Sequence, residues 1–280
     1  MLVTDGLANV GLVDPPAITG HVAELRARGV LTSTFGIGQD FHQVLLGGMA
    51  DAGGGNFYFV EHATQLEDVL TGEVGEALQT VAREVRVIAE HGPEVQVRPL
   101  DAFAVEPQRQ RTVSRLGPLV SEQMVELLYE VDLPGQSAGA KSTLQFTIQD
   151  AEGALGNPTG VVEFLHARGT EVEAEEPDAE VIRAAAQRIR QQASERAFVL
   201  NYEDRRGEVR QEAGKVLEYL RKLAKKSPAV ADAIAELERD VDQASEVMGA
   251  VMAKMRYFEA SRMRRGRDFE GKAAKETTKP

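Results

Sequence analysis

The sequence predicts an α/β unit with a parallel sheet, then a small antiparallel β-sandwich, then a helical hairpin or bundle. Three observations predict it. From residue 1 to about 83, short β-branched runs alternate with amphipathic helical patterns, which implies strands joined by helical crossovers. From 84 to 172 the apolar period falls to two, with Gly and Pro turns between the runs. From Asp178 to about Arg262, apolar residues recur at helical spacing. The expected units are therefore 1–83, 84–172 and 177–265. The polar stretch 266–280 is expected to be a disordered tail.

Each element has its own signal. Met1 to Thr4 is a short apolar run closed by the turn pair Asp5-Gly6. Asp14 suits an N-cap, and Pro15-Pro16 suits the first turn of a helix bearing Ile18, Val22 and Leu25 on one face. Gly29 ends it. Val30 to Ile37 reads as the next strand. Asp40 is placed to cap a second helix carrying Phe41, Val44, Leu45 and Met49, which Gly53-Gly54-Gly55 breaks. Asn56 to Val60 is a third strand, and Leu66, Val69, Leu70, Val74, Leu78 and Val81 mark a third helix. The period-2 runs of the middle segment are Val85–Val87, Val95–Arg98, Met124–Val131, Leu144–Ile148 and Val161–Leu165. The acidic stretch Glu171 to Asp178 reads as a linker. One helical stripe then carries Val181, Ala185, Ile189 and Ala193, and another Val216, Leu217, Leu220 and Leu223. Ser227-Pro228 restarts a helix with Ile234, Leu237, Val241, Val247 and Met248. Met248, Met252 and Met255 read as a core stripe.

Composition narrows the function classes. The chain has 280 residues, of which 42% are hydrophobic, so a sizeable core is available. Trp is absent and aromatics are 5%, so that core is mainly aliphatic. A net charge of -12 argues against nucleic-acid binding, which needs positive surface, and against anionic membranes. With no cysteine there is no disulfide, thiolate zinc site or cysteine nucleophile. A cytoplasmic location is the expectation. No apolar run approaches the ~20 residues of a membrane-spanning helix.

The most specific pattern is an ordered set. It comprises Leu2-Val3-Thr4-Asp5-Gly6, Asn9-Val10-Gly11, Ser33-Thr34-Phe35-Gly36-Ile37-Gly38 and Met49 through Phe59. This set resembles the second half of bacterial von Willebrand factor A domains. Those similar to inter-α-trypsin-inhibitor heavy chains and calcium-activated chloride channel proteins fit it best. The resemblance covers residues 1 to about 83. A looser similarity, to the β-rich and helical segments C-terminal to that domain in such bacterial proteins, extends to about 265 and includes Tyr257 to Arg267. The resemblance implies a doubly wound α/β fold and a chain that enters the domain partway, N-terminally truncated. It also implies a non-enzymatic protein-interaction module that grips a partner's acidic residue through Mg2+.

In that family the cation takes ligands from an Asp-x-Ser-x-Ser loop, a middle-loop Thr and the Asp of a Thr-Asp-Gly turn. Only the last maps here, onto Asp5. No Asp-x-Ser-x-Ser occurs, and Ser33 and Thr34 lie in a later strand. Mg2+ takes near-octahedral oxygen ligands, so Asp5 alone leaves the site incomplete, and a turn role for it is the expectation. If Leu2–Thr4 is the fourth strand of the order 3-2-1-4-5-6, its neighbour is missing, and the open edge invites self-association.

Other candidates are weaker. The two glycine runs fit tight turns, since neither a dinucleotide fingerprint nor a Gly-Lys-Ser/Thr loop is present. His21, His42, His62, His91 and His166 are scattered without zinc-site spacing. No Gly-x-Ser-x-Gly elbow exists. Arg262, Arg264, Arg265 and Arg267 form a local basic cluster that complements a helix C-terminus. An α/β nucleotide-binding protein or hydrolase of the same architecture is the alternative reading, because fold does not fix function.

Overall fold

The computed structural model describes residues 1–101 and 103–264. The tail expected at 266–280 lies outside them, as do Arg265 and Arg267 of the basic cluster.

The first unit alternates as expected. It contains β1 (Leu2–Thr4), α1 (Pro15–Ala27), β2 (Thr32–Ile37), α2 (Gln43–Gly53), β3 (Gly54–Val60) and α3 (Leu66–Leu78). The three strands form a parallel sheet in the order β1-β2-β3, with Leu2 opposite Thr34 and Phe35 opposite Tyr58. Alternate residues serve opposite faces. Thr34, Phe57 and Phe59 face α1 and α2, where Val22, Phe41, Leu45, Leu46, Met49 and Ala50 form the core. Ser33, Asn56 and Tyr58 face α3. The sheet is therefore covered on both sides.

Caps decide the helix ends. The Asp14 carboxylate accepts the Ala17 N–H at 3.0 Å and starts α1. The second helix is not capped by Asp40. His42 does so, its Nδ1 accepting the Leu45 N–H at 3.1 Å. Phe41 is buried before the helix begins, which moves the start two residues past Asp40. Gly54 ends α2 with φ +67°, a left-handed conformation that favours glycine. The third helix stops at Leu78, and Val81 belongs to the next strand. None of its residues is buried, and Val74 and Leu78 are exposed. Its apolar stripe is thus not what anchors it. Glu73 is tied across the layer instead, accepting from Asn56 Nδ2 at 3.1 Å, Tyr58 Oη at 2.6 Å and the Ser33 hydroxyl.

The middle unit has seven strands. They are β4 (Thr80–Glu90), β5 (Gln96–Pro99), β6 (Ala104–Gln108), β7 (Arg111–Val120), β8 (Tyr129–Asp132), β9 (Lys141–Gln149) and β10 (Thr159–Leu165). An antiparallel sheet of order β10-β9-β4-β7-β6 packs against the pair β5-β8. Ala89, Val95, Val97 and Leu144 fill the space between, with Tyr129 and Phe146. Strands β6 and β7 have no period-2 signal in the sequence. In β7, Thr112 and Ser114 are buried polar residues with partners: Thr112 Oγ1 donates to Val97 O at 3.1 Å, and Ser114 Oγ lies 3.0 Å from Tyr129 Oη. A buried polar group that is hydrogen-bonded costs little, so alternation disappears without loss of the strand. The run expected from Met124 begins as a strand only at Tyr129, and Met124 is exposed.

The last unit is helical. The acidic segment read as a linker contains a short helix, α4 (Gly169–Ala174), whose Glu171 carboxylate accepts the Arg168 N–H at 3.0 Å. Then come α5 (Ala179–Tyr202), α6 (Arg206–Ala224), α7 (Ala231–Ser245) and α8 (Ala250–Arg264). Asp178 caps α5. The α5 stripe is rotated from the expected one: Val181 is exposed, and Ala186, Ala197 and Leu200 are buried. Polar residues share that face. Ser194 Oγ donates to Asp240 Oδ2 at 2.6 Å, and Arg190 Nη1 meets the same oxygen at 3.1 Å. Leu200, Val209, Leu220, Val230 and Leu237 complete the bundle core. Val247 is exposed in the α7–α8 connection rather than in a helix.

Helix α8 does not bury the methionine stripe; Met252 is exposed. Its inward face is Lys254, Tyr257 and Ala260, and Tyr257 joins the core of the first unit. Gly47 of α2 makes that contact feasible, because a Cβ there would lie 2.5 Å from Tyr257 Oη and 3.0 Å from its Cε1. Gly47→Ala is therefore expected to lower stability by about 1–3 kcal/mol, the usual cost of overpacking. Adding Tyr257→Phe, which removes the nearest atom, should restore part of it. Urea unfolding of the single and double variants checks this coupling.

Candidate functional site

The carboxyl end of the parallel sheet carries the turn Thr4-Asp5-Gly6. Asp5 is exposed. The Thr4 hydroxyl, rather than the Asp5 carboxylate, brackets the turn: it accepts the Gly6 N–H at 3.2 Å and lies 3.2 Å from Gly6 O. Beside it, β1 pairs only with β2 among the described residues, leaving its outer backbone groups as an edge. The β1–α1 loop is apolar and solvated, with Leu7, Leu12 and Val13 exposed and Val10 87% exposed.

The donor set can be tested against Mg2+. A hard divalent cation wants about six oxygens in octahedral array. Here one carboxylate is offered, and the adjacent hydroxyl is already engaged. Among the described residues there is no group of three or more His, Asp or Glu placed to hold a metal. The residues present do not fit Mg2+ by themselves. Ser33 and Thr34 are not brought to Asp5. Ser33 reaches Glu73, and Thr34 Oγ1 donates to Leu46 O at 2.8 Å inside the α2 face.

The glycine runs are steric. Gly36 lies against the Phe41 ring, and Gly55 lies against the Thr32 backbone, so a Cβ at either position would collide. The histidines sit apart. His42 caps α2 and meets the Tyr202 ring edge-on at 5.3 Å. Burial lowers its pKa, and the nearby Lys254 charge adds to this. His166 Nε2 lies 2.8 Å from Ser142 Oγ, and His21 sits 3.7 Å from Glu24 on the exposed face of α1.

Two residues escaped sequence reasoning. Glu73 falls among the apolar positions of α3, and only the cross-layer hydroxyls explain it. Lys254 is 3% exposed on α8. Its Nζ donates to Phe41 O and, at 3.0 Å, to Gln43 Oε1, and it lies 4.1 Å from the centroid of the Phe41 ring. The helical period places Lys254 one turn from Tyr257, but nothing local marks a lysine as buried.

The chain superposes on the von Willebrand factor type A structure from Catenulispora acidiphila with a TM-score of 0.62 at 14% identity. The match covers 93% of this chain and 64% of that one. The fold is that of von Willebrand factor type A proteins. The ArnB paralog VWA2 from Sulfolobus acidocaldarius is also similar, at TM-score 0.49 and 14% identity, over 94% of this chain and 62% of that structure. In sequence, the uncharacterized protein YfbK of Escherichia coli K12 is 32% identical over 146 residues, 49% of this chain. This chain spans 25% of that relative's length. No protein-family model matches the chain. Within the von Willebrand factor type A fold, Asp5 lies at the carboxyl end of the parallel strands, and the helical unit docks on the sheet through Lys254 and Tyr257. No described helix is long and apolar enough to cross a membrane.

Lys254 gives this architecture a pH dependence. Desolvation lowers its pKa from 10.5, and Asp40 partly offsets this. The unfolded chain therefore binds more protons between the depressed folded value and about 10.5. Stability carried by Lys254 rises with pH through that window and is constant below it. The unfolding free energy of wild type minus Lys254→Met is expected to increase as the pH rises toward 10.5. Denaturant titrations at several pH values check it, and a flat difference contradicts it.

Proposed function

We propose that this chain is a non-enzymatic protein-docking module whose contact surface is the carboxyl end of the parallel sheet. The observation that carries the proposal is the loop between β1 and α1. Leu7, Val10, Leu12 and Val13 are all exposed there, next to an exposed carboxylate. Contiguous exposed apolar residues with a polar rim mark interaction surfaces in soluble proteins. The fold shared with von Willebrand factor type A proteins and the partner contact implied by the resemblance support the same reading.

Asp5 offers one carboxylate, and among the described residues no group of three or more acidic or histidine ligands forms around it. A Mg2+-dependent form of the contact needs further ligands from another segment or from the partner. The acidic net charge disfavours nucleic acid as the partner.

Site-specific photo-crosslinking tests the proposal. A crosslinker replacing Leu7 or Val10 in cells of the natural host should give discrete protein adducts. Leu12→Arg should deplete those adducts without changing the melting temperature, because Leu12 is a solvated loop residue. Stabilisation by ATP with no adduct at either position supports the nucleotide-binding reading instead.

A further inference from the structure

Far from Asp5, at the amino ends of β2 and β3, the parallel sheet meets β7. A cavity of about 150 Å3 opens there, lined in part by Arg26, Asn56, Glu73, Glu76 and Arg115. Its size suits a small metabolite rather than a drug-sized ligand.

Arg26 is the unusual wall. It lies in the last turn of α1, with its guanidinium laid on Gly54, where a Cβ would stand 2.9 Å from its Cζ and Nε. The side chain is half-buried, and its Nε has no hydrogen-bond partner. Among the described residues no carboxylate forms an ion pair with it. Burial lowers its pKa foremost, so the guanidinium has lost water without gaining a contact counter-charge. The other cation in the wall is already used: Arg115 holds Glu106 at 2.8 Å and lies 3.9 Å from Glu84. An unpaired, partly desolvated guanidinium beside a cavity is an anion receptor with its cost already incurred.

The opposite wall is anionic and fixed. Glu73 is oriented by Asn56, Tyr58 and Ser33, and Oε1 accepts only from Ser33 among the described residues, so it retains acceptor capacity. Glu76 and Asp51 add negative charge to the lining. Gly54, beneath Arg26, and Asn56, beside Glu73, are two residues apart on β3. Two residues of strand span on the order of 6–7 Å, less where the strand is irregular. A polyanion such as phosphate meets a lining with more carboxylates than guanidinia. A lone metal ion meets Arg26. A molecule with a carboxylate and an ammonium a few ångströms apart satisfies both walls.

We propose that this cavity binds a free small α-amino acid, its carboxylate on the Arg26 guanidinium and its ammonium on the Glu73 carboxylate. The ligand seals the junction between the parallel sheet and the antiparallel one, and its site is separate from the docking loop.

Calorimetry and thermal shift on the full chain test this. The probes are the twenty free α-amino acids, each alone, with acetate, methylammonium and inorganic phosphate as single-charge or polyanionic controls. At least one small amino acid should bind with 1:1 stoichiometry, while the controls at the same concentration do not. Arg26→Gln should weaken binding by about tenfold or more, the loss expected for a charge-assisted pair, while the ligand-free melting temperature holds or rises. Glu73→Gln should weaken it similarly; if that variant is unstable, Arg26→Lys, which keeps charge but not the planar fork, still discriminates. The proposal is overturned if no amino acid binds, if acetate or phosphate binds as well, or if Arg26→Gln binds like wild type.

Discussion

The structure depends on one buried ammonium. Lys254 sits 213 residues after Phe41 in sequence, yet donates to its carbonyl and to the Gln43 amide from inside the protein. A buried charge without partners is prohibitive, whereas one with two hydrogen bonds and an aromatic face is tolerated. Around this point Tyr257 and Phe258 pack on Phe57 with ring centroids 6.0 and 5.9 Å apart. The face of the parallel sheet that α1 and α2 cover is thus closed by a helix from the far end of the chain. The first and last units, which read as separate in sequence, are joined because α8 returns to pack on β3 and α2.

Much of that body is legible in the sequence. The β-strand and helix alternation to residue 78, the Asp14 cap and the glycine stops obey local rules, and the structure contains them. The illegible parts depend on partners distant in sequence. Thr112 and Ser114 conceal β7 because Val97 and Tyr129, on the other sheet, satisfy them. The α5 stripe is displaced because Arg190 and Ser194 face Asp240 fifty and forty-six residues on. His42 displaces Asp40 as a cap because Phe41 must be buried first. In the candidate site, Thr4-Asp5-Gly6 is readable as a turn at a strand end, but the Thr4 hydroxyl takes the hydrogen bond expected of Asp5. Glu73, Arg26 and Lys254 give no local sign, since each is defined by what it meets across a layer.

The two ends of the parallel sheet are chemically different. The carboxyl end carries exposed apolar residues in the β1–α1 loop beside the exposed Asp5. The amino end carries a cavity lined by charged side chains, of which Glu73 is held by cross-layer hydrogen bonds. Exposed apolar residues favour a macromolecular partner, which can cover them. Half-buried charges lining a small cavity favour a small ligand, which can pair with them. The glycines at both ends serve close packing: Gly36 admits Phe41, and Gly54 admits Arg26.

Closure of the parallel sheet therefore rests on α8. Hydrogen exchange of full-length Lys254→Glu tests that dependence most directly. The substituted carboxylate cannot donate to Phe41 O, so amides of α2 and β3 should exchange faster than in wild type, while those of α6 and α7 keep their protection. Unchanged protection across α2 and β3 would show that the sheet is closed without α8 and would contradict a central role for the buried ammonium.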